Sequence, residues 1–90
     1  MYTIIYSPRA EEDLRKLKRS EPDELKKAVR LLNELVEHPK VGTGHPEPLK
    51  GQPEGRWNRQ ITKKHRLVYR IYENEIYVEV LTAYGHYNDK

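Results

Sequence analysis

Cysteine is absent from the 90 residues. That removes a thiol nucleophile, a disulfide framework and any thiolate metal site, and it suits a reducing, cytoplasmic setting. Long apolar runs are missing too. No stretch approaches membrane-spanning length, and the opening Met1-Tyr2-Thr3-Ile4-Ile5-Tyr6-Ser7-Pro8-Arg9 lacks the apolar core of a leader peptide, so a soluble protein with no membrane partner is expected. The four histidines (His38, His45, His65, His86) form no helical i, i+4 pair, so no metal site and no cofactor are expected. Gly42-Thr43-Gly44 begins like a nucleotide-binding glycine motif, but Glu47 stands where its third glycine belongs.

What is present is charge with a pattern. Hydrophobic residues make up 36% and charged residues 34%, yet the apolar positions are periodic, which indicates one small folded domain over 1–90 rather than disorder. The net charge of +3 is unevenly spread. Residues 1–49 carry nine basic against nine acidic groups. Residues 50–70 carry seven basic groups (Lys50, Arg56, Arg59, Lys63, Lys64, Arg66, Arg70) against Glu54 alone, and residues 71–90 are net negative. A basic stretch of this kind is either a solvated face or the footprint of phosphate binding.

The order of elements reads β-α-α-β-β-β. Tyr2 to Tyr6 is β-prone. Ser7-Pro8 marks a helix start, with Ala10, Leu14 and Leu17 as its apolar stripe. Ser20-Glu21-Pro22-Asp23 starts a second helix with a fuller face of Leu25, Ala28, Val29, Leu32, Leu35 and Val36, ended by His38-Pro39. From Pro39 to Arg56 four prolines and four glycines exclude a helix or a long strand, and so long a loop in so small a domain is usually functional or mobile. Three strand-like runs follow: Trp57 to Thr62, His65 to Tyr72, and Glu75 to about Tyr84, where Ile76, Val78 and Val80 share a face. Short connections favour an antiparallel meander. The expected fold is α+β, two helices on one face of a small, mainly antiparallel sheet. If Leu67, Tyr69 and Ile71 face the helices, Arg66 and Arg70 project from the other face, making a basic cradle suited to single-stranded nucleic acid. Tyr69, Tyr72 and Tyr77 read as strand-packing residues and Trp57 as core or loop packing.

RNA brings its own nucleophile, the 2′-hydroxyl. Cutting it needs a base for that hydroxyl, positive charge for the phosphate, and an acid for the leaving 5′-oxygen. Glu47, Arg66 and His86, all outside the helices, are candidates for those roles. Taken singly, Glu47 is a solvated loop acid, His86 a surface histidine, Tyr87 a tail anchor and Arg66 part of a strand edge. Their order, with the basic segment between them, points to a joint role.

Four linked motifs carry a resemblance. Gly42-Thr43-Gly44-His45-Pro46-Glu47-Pro48-Leu49-Lys50, Trp57-Asn58-Arg59-Gln60-Ile61-Thr62, His65-Arg66-Leu67-Val68-Tyr69 and Gly85-His86-Tyr87 resemble, in order and spacing, the motifs of the YoeB/Txe family of bacterial toxins. The resemblance implies a RelE-like fold and a toxin of a type II toxin–antitoxin system, an endoribonuclease acting on ribosome-bound messenger RNA. It also implies a homodimer held inactive by a YefM-type antitoxin. Carried over by residue, Glu47 is the general base, Arg66 the stabiliser of the transition state and His86 the general acid. Tyr87 helps position the substrate, and Lys50 and Arg59 bind phosphate or add positive charge. The sequence departs from the family at Gln60 and Tyr84, where arginines are common, at His45 in place of a frequent lysine, and in Asn88-Asp89-Lys90 beyond the usual end. Two other functions compete: a ParE-like poison of DNA gyrase, which needs no acid–base set, and a catalytically idle binding or co-repressor module.

Overall fold

The computed structural model describes residues 1–51 and 55–85. Five strands and two helices follow one another as β1 (Thr3–Tyr6), α1 (Pro8–Ser20), α2 (Pro22–Glu37), β2 (Glu47–Pro48), β3 (Arg56–Gln60), β4 (Arg66–Tyr72) and β5 (Tyr77–Thr82). The strands form one sheet in the order β1-β5-β4-β3-β2. β1 runs parallel to β5, and every other neighbouring pair is antiparallel. The expected α+β architecture is present, with one addition: the proline-rich loop contributes the two-residue edge strand β2.

Local chemistry sets the helix boundaries. The Ser7 hydroxyl accepts from the Ala10 N–H at 3.0 Å and donates to the Leu81 carbonyl at 2.9 Å. One side chain thus caps α1 and ties it to the end of β5. Pro8 and Pro22 occupy first-turn positions, where a missing N–H costs nothing. Asp13, fully buried on α1, accepts from the Ala83 N–H at 3.0 Å and anchors the segment after β5.

Both helices pack on one face of the sheet. Ala10 and Leu17 of α1 and Ala28, Leu31, Leu32 and Leu35 of α2 meet Leu67, Tyr69, Ile71, Val78 and Val80, with Ile61 and Ala83 closing the core. Burying each large aliphatic chain stabilises by roughly 1.5–3 kcal/mol. Two apolar residues depart from expectation. Val29 is 44% exposed while Leu31 is buried, because Val29 lies about 100° round the helix from Ala28, at the margin of the stripe. Ile76 does not share a face with Val78 and Val80. It is exposed, in a turn over residues 73–76, with a left-handed φ of 59°. Glu73-Asn74 lacks the glycine that a tight two-residue hairpin favours, and the turn is correspondingly wider.

Candidate active site

Strand parity builds the site. In an antiparallel sheet, residues directly opposite each other share a face. Arg59 is opposite Leu67 and Trp57 opposite Tyr69, so those two belong to the helix-covered face. Asn58 is opposite Val68, Gln60 opposite Arg66 and Arg56 opposite Arg70, so these belong to the open face. Glu47, on the edge strand, is opposite Asn58 and joins them. Glu47 is exposed and Arg66 half-exposed. Asn58 links the two: its Nδ2 donates to the Glu47 carbonyl at 3.3 Å and its Oδ1 accepts from Arg66 Nη1 at 2.8 Å. The amide is 3% exposed, so both contacts are sheltered from water. The base and cation candidates are thereby brought to one surface, with the guanidinium aimed by a fixed amide.

Arg59 is a correction. Proposed from the sequence as a phosphate ligand, it is fully buried on the helix face, the largest such side chain among the described residues. Its Nε donates to the Tyr69 hydroxyl at 3.2 Å, and its Nη1 to Glu34 at 2.8 Å and to the Thr43 carbonyl at 3.4 Å. Its Nη2 donates to the carbonyls of His38 and of Val41, the latter at 2.8 Å. The Tyr69 hydroxyl in turn donates to the Pro39 carbonyl at 2.7 Å. The guanidinium fork therefore gathers the end of α2 and the loop after it into one buried node. A buried ion so fully engaged has no geometry left for a phosphate.

That node anchors the loop that leads to Glu47. Glu34 also accepts from the Thr43 N–H at 2.9 Å and hydroxyl at 2.7 Å. These Thr43 bonds first, and Arg59 after them, hold its carboxyl below the usual glutamate range. The loop then closes on β3 through the Gln60 N–H, which donates to the Gly44 carbonyl at 2.7 Å. Gly44 has φ +87°, and a Cβ there would lie 2.9 Å from the Gln60 carbonyl oxygen, so only glycine permits this approach. Three residues on from Gly44, the chain enters β2 at Glu47. Lys50 is exposed in the turn after β2, at the same edge of the sheet.

His86 and Tyr87 lie outside the described residues. The preceding Gly85 is held from two directions. Its N–H donates to His65 Nδ1 at 2.8 Å, and its carbonyl accepts from the Arg66 N–H at 2.9 Å. His65 is 3% exposed, and its Nε2 meets the Glu21 carboxylate at 3.0 Å. With Nδ1 accepting the Gly85 N–H, Nε2 is the ring nitrogen that faces Glu21. The hydrogen bonds from His65 and then Lys64 depress the Glu21 pKa. Sequence reasoning missed Asn58, Glu34, His65 and Glu21. The pairing of Glu21 with His65, 44 positions apart, left no local signal.

The model of the YoeB-like toxin of bacterial type II toxin–antitoxin systems matches residues 6–87. The chain belongs to this family. It is 37% identical over 87 residues to Toxin YoeB of Mycobacterium bovis, covering 97% of this chain and 100% of that one. Among solved structures, the YoeB/ParE toxin from Agrobacterium tumefaciens superposes with a TM-score of 0.87 at 32% identity, covering 94% of this chain and 99% of the other. The YoeB dimer from Staphylococcus aureus gives 0.84 at 30% identity, with 96% and 98% covered. YoeB in the heterotetrameric YoeB–YefM complex from the same organism gives 0.80 at 31%, with 97% and 99% covered. This YoeB-like chain is thus the toxin of a type II toxin–antitoxin system, and its fold is that of its YoeB and RelE-type neighbours. No helix among the described residues is long and apolar enough to cross a membrane.

Proposed function

We propose that this YoeB-like toxin is a ribosome-dependent endoribonuclease that cuts messenger RNA without a metal. The observation that carries this reading is the open-face constellation: Glu47 and Arg66 on the helix-free face of the sheet, joined through Asn58. Glu47 takes the proton of a 2′-hydroxyl, whose oxygen attacks the adjacent phosphorus. Arg66 neutralises the charge that builds on the phosphoryl oxygens. The bond from phosphorus to the 5′-oxygen breaks, and His86 gives its proton to that oxygen. The products are a 2′,3′-cyclic phosphate and a free 5′-hydroxyl. Gly85, the residue before His86, is hydrogen-bonded to the Arg66 backbone, which supports assigning the acid to the same surface. Tyr87 positions the substrate, and Lys50 adds positive charge at the β2 edge.

Two partners follow from the relatives. One S. aureus YoeB is described as a dimer and another in complex with YefM. We assign to this chain a homodimer and a YefM-type antitoxin that inhibits it, in the cytoplasm where translation occurs.

Primer extension on a defined messenger RNA in a reconstituted translation reaction tests the reading. Wild type should give discrete cuts only when ribosomes are present. Glu47→Ala and His86→Ala should remove them while the protein stays folded by circular dichroism. Intact RNA from folded wild-type protein overturns the assignment, and a gyrase cleavage assay then becomes the relevant one.

A further inference from the structure

The open face holds a second cluster that the proposed chemistry leaves unused. Tyr72 and Tyr77 are directly opposite each other in the β4–β5 hairpin. Their rings are stacked, with centroids 4.3 Å apart and planes inclined by 15°. The Arg70 guanidinium lies over the Tyr72 ring, 4.7 Å from its centre. Tyr77 and Arg70 both lie against that ring. Three flat groups therefore stand in one pile on the helix-free side of the sheet, each half-exposed. Glu79 accepts from the Tyr72 hydroxyl at 3.2 Å and fixes the direction of the ring. Burial, with Glu79 second, raises the Tyr72 pKa, which keeps the phenol neutral. Core packing does not account for the pile, because Tyr69, Ile71, Val78 and Val80 fill the other face.

We infer that Arg70, Tyr72 and Tyr77 form a stacking subsite for an unpaired base of the RNA strand that crosses Arg66. The subsite rests on the ribonuclease reading. Arg66 and Arg70 lie on the same strand and face, about 13 Å apart at the strand rise, a gap that a few nucleotides of extended RNA span. Glu79, opposite Arg70 in the register, offsets the arginine's charge, so the cluster is poorly suited to a phosphate. Flat aromatic and guanidinium surfaces instead suit a nucleobase, and any base can stack on them. The subsite would hold the message beside the reacting phosphate and add affinity with little sequence preference. It performs no proton transfer.

A fluorescein-labelled, fully 2′-O-methylated 12-nucleotide RNA, which lacks the attacking hydroxyl, is the probe. Its affinity for the purified chain is measured across a salt series. Tyr77→Phe, which keeps a ring, should bind within about twofold of wild type. Tyr77→Leu, which keeps an apolar cross-strand contact but no ring, and Arg70→Ala should each bind at least about fivefold more weakly, the lower end expected for one lost base stack. Neither loss should come from a phosphate contact, so Tyr77→Leu should keep the wild-type salt slope, while Arg66→Ala should reduce it by about 0.7. Wild-type affinity in Tyr77→Leu, or weakening with a changed slope, overturns the subsite and leaves the ribonuclease reading intact. Absence of binding by wild type also overturns the subsite and leaves the ribonuclease reading to the cleavage assay, because the proposed cleavage requires the ribosome. If Tyr77→Leu fails to fold, Arg70→Ala decides alone.

Discussion

Arg59 and Arg66 lie on adjacent strands of one sheet and do opposite things. Arg59 is sealed beneath the helices and spreads its donors over Glu34, Tyr69 and the carbonyls of His38, Val41 and Thr43. Arg66 stands on the uncovered face, with one of its N–H donors aimed by Asn58. Residue type is shared and the strands are neighbours, and parity puts the two side chains on opposite faces. A basic segment in a small sheet therefore divides its cations: alternate positions either build the scaffold or meet the ligand. The +6 stretch of residues 50–70 overstates the charge presented to RNA, because one member is spent inside.

The largest expected effect comes from breaking the buried side of this comparison. Glu34→Ala leaves the Arg59 cation without its carboxylate and should cost about 3 kcal/mol of stability, seen as a fall in the unfolding midpoint. Cleavage per folded molecule should change little. Acid acts on the same node. The Glu34 pKa is depressed in the folded state, so its stabilisation is fully present above the unfolded value of about 4.3 and disappears as pH falls through the lower folded value. Wild type should lose stability in that window more steeply than Glu34→Gln, and equal slopes would remove Glu34 from the account.

A middle-sized effect is expected where scaffold and site meet. His65→Ala deletes the acceptor for the Gly85 N–H. Cleavage should fall on the order of tenfold to a hundredfold, as for a displaced catalytic group, with a smaller loss of RNA affinity. Equal losses in both would make His65 a plain folding residue. The smallest effect sharpens the open side. Gln60 is opposite Arg66 on the exposed face, so Gln60→Arg adds a cation where RNA passes. Affinity should rise a few-fold at low salt, and the gain should shrink as salt screens it.

The comparison also marks how far the sequence could be read. Leu67, Tyr69 and Ile71 alternate strictly, so the faces of β4, and with them the exposure of Arg66 and Arg70, were legible. The helix starts were legible locally, from the Ser7 cap before Pro8 and from Pro22 with the acidic Asp23 and Glu24 in the first turn. Arg59 was not, because an arginine flanked by polar Asn58 and Gln60 reads as surface, and its burial depends on acceptors from a loop more than fifteen residues away. β2 was hidden for the same reason: Glu47-Pro48 pairs with Trp57-Asn58 only after the Arg59 node and Gly44 have folded the loop back. Glu47 and Arg66 were chosen by chemistry and motif, but Asn58, which joins them, depends on a register that no local pattern encodes. Val29 and Ile76 were misplaced at the margins of otherwise correct patterns.

The most direct measurement takes Arg59→Lys and Arg66→Lys through thermal unfolding and ribosome-dependent cleavage on the same preparations. A lysine keeps the charge but cannot reproduce the planar fork. Arg59→Lys should melt well below wild type while its folded fraction still cuts RNA. Arg66→Lys should melt as wild type does and cut slowly. An Arg59→Lys protein of unchanged stability and lost cleavage, beside an Arg66→Lys protein of full activity, would contradict the division of roles between the two faces.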